Sequence, residues 1–126
     1  MSQYFCSIVD NALRNPAQRM YFDLGDYRYG LTVVGEGEPI VCFHGFSESS
    51  YTWDAINLSG YRVVRIDLIG HGDSDIPDED KAYTIPQMIE DLHTVIYHMV
   101  GESYYLMGYS MGARIALSYA LHYERE

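Results

Sequence analysis

Apolar positions in this chain follow two different periods. Ile40-Val41-Cys42-Phe43 is a continuous apolar run, and Tyr61–Leu68 carries Val63, Val64, Ile66 and Leu68. Both have the pattern of strands covered on two faces of a parallel sheet. Tyr104-Tyr105-Leu106-Met107 is a third, shorter run of the same kind. Between the second and third, Ile85, Met88, Ile89, Leu92, Val95, Ile96, Met99 and Val100 recur at three- and four-residue spacing. That spacing predicts a helix, opened by Thr84 with Gln87 as a capping box and Pro86 in its first turn, and closed by Gly101. Ala113 to Tyr123 predicts another helix, and Ser49 to Asn57 a short one around Trp53. Gly35 to Pro39 and Pro77 to Lys81 read as loops, and Ile69 to Ser74 as a turn. Upstream, Met20–Leu24 and Tyr27–Val34 are rich in aromatic and β-branched residues, with Gly25-Asp26 between them as a two-residue hairpin turn. Ser2 to Arg14 predicts a short helix, with Ile8, Val9, Ala12 and Leu13 on one face and Pro16 beyond it. The whole predicts an α/β fold: a mostly parallel sheet with an N-terminal β-hairpin, right-handed crossovers and flanking helices. Residues 1–19 read as a leader and 20–126 as one domain.

Composition narrows the function classes. The chain has 126 residues, 48% hydrophobic and 14% aromatic, enough for one domain with a core. Eighteen acidic residues against eight basic ones give a net charge of −10, and Lys81 is the sole lysine. This balance disfavours nucleic acid and anionic membrane surfaces, which select clustered Lys and Arg. Cys6 and Cys42 make no disulfide framework, and Cys42, inside an apolar run, reads as a core residue. No basic segment followed by an apolar stretch opens the chain, so a cytoplasmic location is expected. His93 and His98 are five apart, the wrong relation for a shared metal, and no phosphate-binding glycine loop occurs. No metal and no cofactor are expected.

Chemistry enters with Gly108-Tyr109-Ser110-Met111-Gly112, a G-x-S-x-G placed between a predicted strand and a predicted helix. A serine on that sharp turn stands clear of the sheet, as a nucleophile must. The amide of Met111 then lies at a helix N-terminus, where partial positive charge favours a developing oxyanion. His44-Gly45-Phe46 directly follows the first buried strand, and the Phe46 amide is the expected second donor. Single donors of this kind are each worth roughly 2.7–4 kcal/mol of barrier.

His44-Gly45-Phe46, then Asp67-Leu68-Ile69-Gly70-His71-Gly72-Asp73-Ser74, then the serine pentapeptide, in that order and spacing, resemble the α/β-hydrolase superfamily. The resemblance runs from about Tyr21 to the C-terminus and implies the N-terminal half of that fold. It makes His71 part of a structural turn, since in the fold the catalytic acid and histidine follow the serine. No pair of later strand-end loops follows Ser110 here, so a truncated domain is expected. A narrower similarity rests on Gly108 to Arg114: an arginine four residues past the serine resembles the 2-succinyl-6-hydroxy-2,4-cyclohexadiene-1-carboxylate synthases of menaquinone biosynthesis, with Gly-Ala-Arg where those show Gly-Gly-Arg. It implies Ser110 as catalytic residue, pyruvate elimination by serine/histidine-assisted proton abstraction, and Arg114, Tyr109 and His44 at the substrate. The alternatives are a carboxylic-ester hydrolase working through an acyl-serine, and a catalytically incompetent structural or interaction module. The expected partners are a small carboxylate or ester and either a second copy of the chain or a C-terminal half supplied in trans.

Overall fold

The computed structural model describes residues 5–8, 17–25, 27–45, 49, 53, 56, 58–78 and 80–123, with only the backbone described for 5–8 and 17. One sheet contains β1 (Phe5–Ile8), β2 (Ala17–Asp23), β3 (Arg28–Val34), β4 (Glu38–Phe43), β5 (Tyr61–Ile66) and β6 (Tyr105–Gly108). Their spatial order is β1-β2-β3-β5-β4-β6. β4 pairs in parallel with β5 on one side and with β6 on the other, while β1, β2, β3 and β5 join through antiparallel ladders. The sheet is therefore more mixed than the strand–helix rhythm predicts, and its parallel part is the part that carries the motifs.

Side-chain alternation along β4 explains why its run is apolar throughout. Val41 and Phe43 enter the larger core with Val64, Ile66, Leu92, Ile96 and Ile115. Ile40 and Cys42 point the other way, into a smaller cluster with Trp53 and Val63. A strand buried on both faces has no polar phase to show. Cys42 is fully buried, and burial pushes its thiol up to about 12, so it is a packing residue.

Helix α1 (Ile85–Met99) buries Met88, Ile89, Leu92, Val95 and Ile96 on one face, with Ile85 left 42% exposed. Thr84 caps it by accepting from the Gln87 amide at 3.4 Å. The reciprocal half of the capping box is absent: the Gln87 side chain donates to Asp91 Oδ1, and the Thr84 amide donates to the Lys81 carbonyl. That carbonyl belongs to a 3-10 turn over Asp80–Tyr83, which overlaps the expected polar loop at Asp80 and Lys81. Gly101, at φ 114°, ends the helix with its amide on the Ile96 carbonyl.

The hairpin forms as expected, with Asp23 opposite Arg28 and the Leu24 amide donating to the Tyr27 carbonyl at 2.8 Å. The expected helix over Ser2–Arg14 does not form at Phe5–Ile8, which pair instead with Met20–Asp23 of β2 as an edge strand. The exposed backbone of β2 supplies partners there that outweigh a weak local helical pattern. The rest of that leader lies outside the described residues, as does most of the Ser49–Asn57 segment. Within that segment, Trp53 is buried and its carbonyl accepts from the Ile56 amide. No helix among the described residues is long and apolar enough to cross a membrane.

Candidate active site

β4 and β6 are adjacent and parallel, with Phe43 opposite Gly108 at their C-terminal ends. The chain leaves β4 toward β5 on one side and returns to β6 on the other. The crevice between these two strand ends is thus a topological switch point, where open α/β sheets bind ligands. Both sequence motifs start there, His44-Gly45 from β4 and Tyr109-Ser110 from β6.

Ser110 is the N-cap of helix α2 (Met111–His122) and has φ 55° and ψ −115°. Among the described residues it is the sole non-glycine with positive φ. Such a backbone costs about 1–3 kcal/mol and persists only where its surroundings enforce it. Here the enforcement is visible. The Tyr109 amide donates to the Phe43 carbonyl at 3.1 Å, and the Gly112 amide to the Tyr109 carbonyl at 2.9 Å. The Ala113 and Arg114 amides both donate to the Ser110 carbonyl.

The glycines serve close approach rather than left-handed backbone. A Cβ on Gly108 would stand 2.5 Å from the Gly112 carbonyl oxygen. One on Gly112 would run into the carbonyl oxygens of Phe43 and His44. Helix α2 is therefore seated directly on the end of β4. On the other side, a Cβ on Gly45 would be 3.4 Å from the Ser110 Cβ and 3.1 Å from the Tyr109 ring, so the His-Gly loop lies against the serine.

Ser110 is solvent-exposed, as are Tyr109 (56%) and Arg114. Arg114 lies one helical turn beyond the serine and has no side-chain partner among the described residues. The Met111 amide opens α2 and likewise has no acceptor among them, which leaves it available to an anion. Phe46, the expected second donor, lies outside the described residues; Gly45 before it is buried against the elbow.

His44 takes a different place from the substrate contact expected of it. It is fully buried, its Nε2 accepts from the Leu68 amide at 2.9 Å, and its Nδ1 lies 2.7 Å from the Gly45 carbonyl. With Nε2 accepting, Nδ1 carries the proton and donates, so both nitrogens are used in bracing the loop. His71 packs on it at 5.0 Å between ring centroids and bonds the Ile69 carbonyl, in keeping with a structural turn.

The turn from Asp67 to Asp75 is anchored by a group that the motif reading missed. Arg19 of β2, 8% exposed in its side chain, donates to the fully buried Asp67, to Asp73 and to Thr32. Burial alone would lower the pKa of this guanidinium, but the hydrogen bonds and charges of Asp67 and Asp73 outweigh it, so the pKa is raised. Asp67 Oδ2 also accepts the Asp73 amide at 3.0 Å, and Ser74 Oγ bridges the Asp67 carbonyl to the Gly30 amide. Gly30 leaves room for the ion pair: a Cβ there would meet Arg19 Nη2 and Asp67 Oδ2 at 3.2 Å. Nothing in the run Gln18-Arg19-Met20 announces a core arginine, because its carboxylate partners lie 48 and 54 residues away.

No cluster of His, Cys, Asp and Glu fit to hold a metal is found among the described residues. His93 stacks on Tyr123 at 4.0 Å, and His98 lies 5.6 Å from the Phe22 ring.

The alpha/beta hydrolase fold family model matches residues 38–126. A Bacillus subtilis (strain 168) protein carrying the name 2-succinyl-6-hydroxy-2,4-cyclohexadiene-1-carboxylate synthase is 36% identical over 100 residues, covering 76% of this chain and 36% of the relative. Epoxide hydrolase B of Mycobacterium tuberculosis (strain ATCC 25618 / H37Rv) is 37% identical over 95 residues, covering 71% and 27%. Among solved structures, a thioesterase domain from the curacin biosynthetic pathway superposes with a TM-score of 0.79 at 27% identity, covering 88% of this chain and 41% of that one. An epoxide hydrolase from Vigna radiata gives 0.78 at 27% identity, covering 84% and 36%. The chain spans about a third of the length of the curated relatives it matches.

Proposed function

The chain belongs to the α/β-hydrolase fold family, and from that premise we propose that it carries the nucleophile half of an enzyme site for a small carboxylated substrate. The carrying observation is Ser110: an exposed hydroxyl on a positive-φ residue between a parallel strand and a helix N-terminus. In this reading Ser110, assisted by a histidine, abstracts a proton and triggers elimination of pyruvate from a cyclohexene acid, as the similarity to the menaquinone-pathway synthase suggests. The Met111 and Phe46 amides hold the oxyanion, and Arg114 and Tyr109, both exposed, receive a substrate carboxylate. A planar guanidinium one turn from the nucleophile suits that task.

The base follows the serine in this fold's chain order. Beyond Ser110 this sequence holds one histidine, His122, about 18 Å away along α2. The proposal therefore assigns the base to the region that relatives carry beyond the matched third, in the same polypeptide or in trans. β6 pairs only with β4 among the described strands, which leaves an edge for that region or for a second copy of the chain.

The test is pyruvate release from the synthase substrate, with the chain paired with that remaining region. Ser110→Ala is expected to abolish release. Arg114→Ala is expected to lower kcat/KM about 10- to 100-fold, the worth of a charge-assisted hydrogen bond, while leaving hydrolysis of an uncharged ester unchanged. Ester hydrolysis without pyruvate release would favour the second reading, an esterase acting through an acyl-serine, for which the likeness to a thioesterase domain speaks.

A further inference from the structure

At the end of β6 opposite Ser110, a cavity of about 290 Å³ opens between the end of α1 and the start of the strand. It is lined by His93, Tyr97, Gly101, Glu102, Tyr104 and Tyr119. The site chemistry described above uses none of these residues. We propose that this cavity binds a small quaternary ammonium ion.

Three features point to that chemistry. First, the walls are aromatic. Tyr119 is buried, and its hydroxyl lies 2.7 Å from that of Tyr104, which fixes both rings. His93 is held by stacking on Tyr123, and Tyr97, 54% exposed, stands at the mouth. Aromatic faces attract cations through their quadrupole, and a rigid set of them forms a cage that needs no rearrangement to bind.

Second, the fixed charge of the described lining has one sign. Among the described residues Glu102 is the sole carboxylate at the cavity, and the C-terminus of α1 adds the negative end of a helix dipole. Arg62 reaches the Met99 carbonyl at 3.3 Å and tempers that dipole, but among the described residues neither it nor any other Lys or Arg lines the cavity. An adjoining cavity shares Tyr104 and adds a second carboxylate, Glu38.

Third, the size and polarity exclude common alternatives. An anion would face Glu102 and the helix end, and a large apolar ligand would leave the carboxylate and the phenol hydroxyls desolvated. A trimethylammonium head satisfies both walls and carboxylate without needing a directed hydrogen bond.

Titration of the chain at pH 8 with choline chloride, and separately with its neutral isostere 3,3-dimethylbutan-1-ol, followed by NMR, tests the proposal. Saturable choline binding is expected, roughly tenfold tighter than the alcohol. Tyr97→Leu, at an exposed position that leaves the fold intact, is expected to weaken choline about tenfold, and Glu102→Gln about threefold. Ser110→Ala is expected to leave choline binding unchanged. Equal binding of choline and the alcohol, no saturation by choline, or an unchanged Tyr97→Leu variant would each overturn it. A trimethyl-lysine peptide forms a further arm, and its binding more tightly than choline would overturn the small-molecule assignment.

Discussion

Replacing Gly112 with alanine is expected to unfold the elbow or the whole chain, a loss of more than about 4 kcal/mol, the range reserved for a severe packing defect. Local propensity predicts the opposite sign, since alanine is favoured over glycine in a helix by about 1 kcal/mol. Geometry decides the contest. A Cβ at Gly112 overlaps the carbonyl oxygens of Phe43 and His44, and both are backbone atoms of β4 and its exit loop. Neither can swing aside as a side-chain tip can. Ala113, the next residue, is exposed, so Ala113→Gly should lose only the propensity term of about 1 kcal/mol. Urea titration of the two variants against the parent checks this. A Gly112→Ala midpoint equal to or above the parent's would mean that α2 does not sit on the end of β4.

Breaking the buried ion pair carries the second large effect. Arg19→Met is expected to destabilise the chain by about 3–5 kcal/mol, because it strands the Asp67 carboxylate, fully buried, without its counter-charge. Asp67→Asn leaves the guanidinium with the half-exposed Asp73 and should do less damage. The double variant is expected to be far less unstable than the sum of the singles, since an orphaned charge, not the lost attraction, dominates each single loss. Strict additivity in a double-mutant cycle by chemical denaturation would refute that. The network also reaches the site. Asp67 fixes the turn that presents the Leu68 amide to His44, and His44 braces Gly45 against Ser110. Loosening Arg19 should therefore slow chemistry at Ser110 even in variants that remain folded.

The parts of this molecule legible in the sequence are those where local pattern and tertiary demand agree. β4, β5, α1 and α2 each bury a continuous run or a helical stripe, and their residues say so. The elbow was legible because glycines at a spacing of four around a serine, between strand and helix, satisfy one steric problem. The tilt of the sheet toward antiparallel pairing was less so, because pairing direction is set between strands and leaves little trace within one. Phe5–Ile8 read as helix because a four-residue edge strand is held by its neighbour's backbone rather than by its own side chains. His44 was misplaced at the substrate for a related reason. A histidine after a strand looks alike whether its ring faces a ligand or braces a loop, and here the Leu68 amide, 24 residues on, decides the matter. Arg19 gave no local signal at all.

The nucleophile assignment is tested most directly by exposing the folded chain, paired with the remaining region that supplies the base, to a fluorophosphonate and mapping the adduct by peptide mass spectrometry. The prediction is one adduct, on Ser110, absent from Ser110→Ala and from chain unfolded in urea before exposure. A folded, paired chain that leaves Ser110 unmodified, or that is labelled at another serine, would contradict the assignment of Ser110 as the reactive residue.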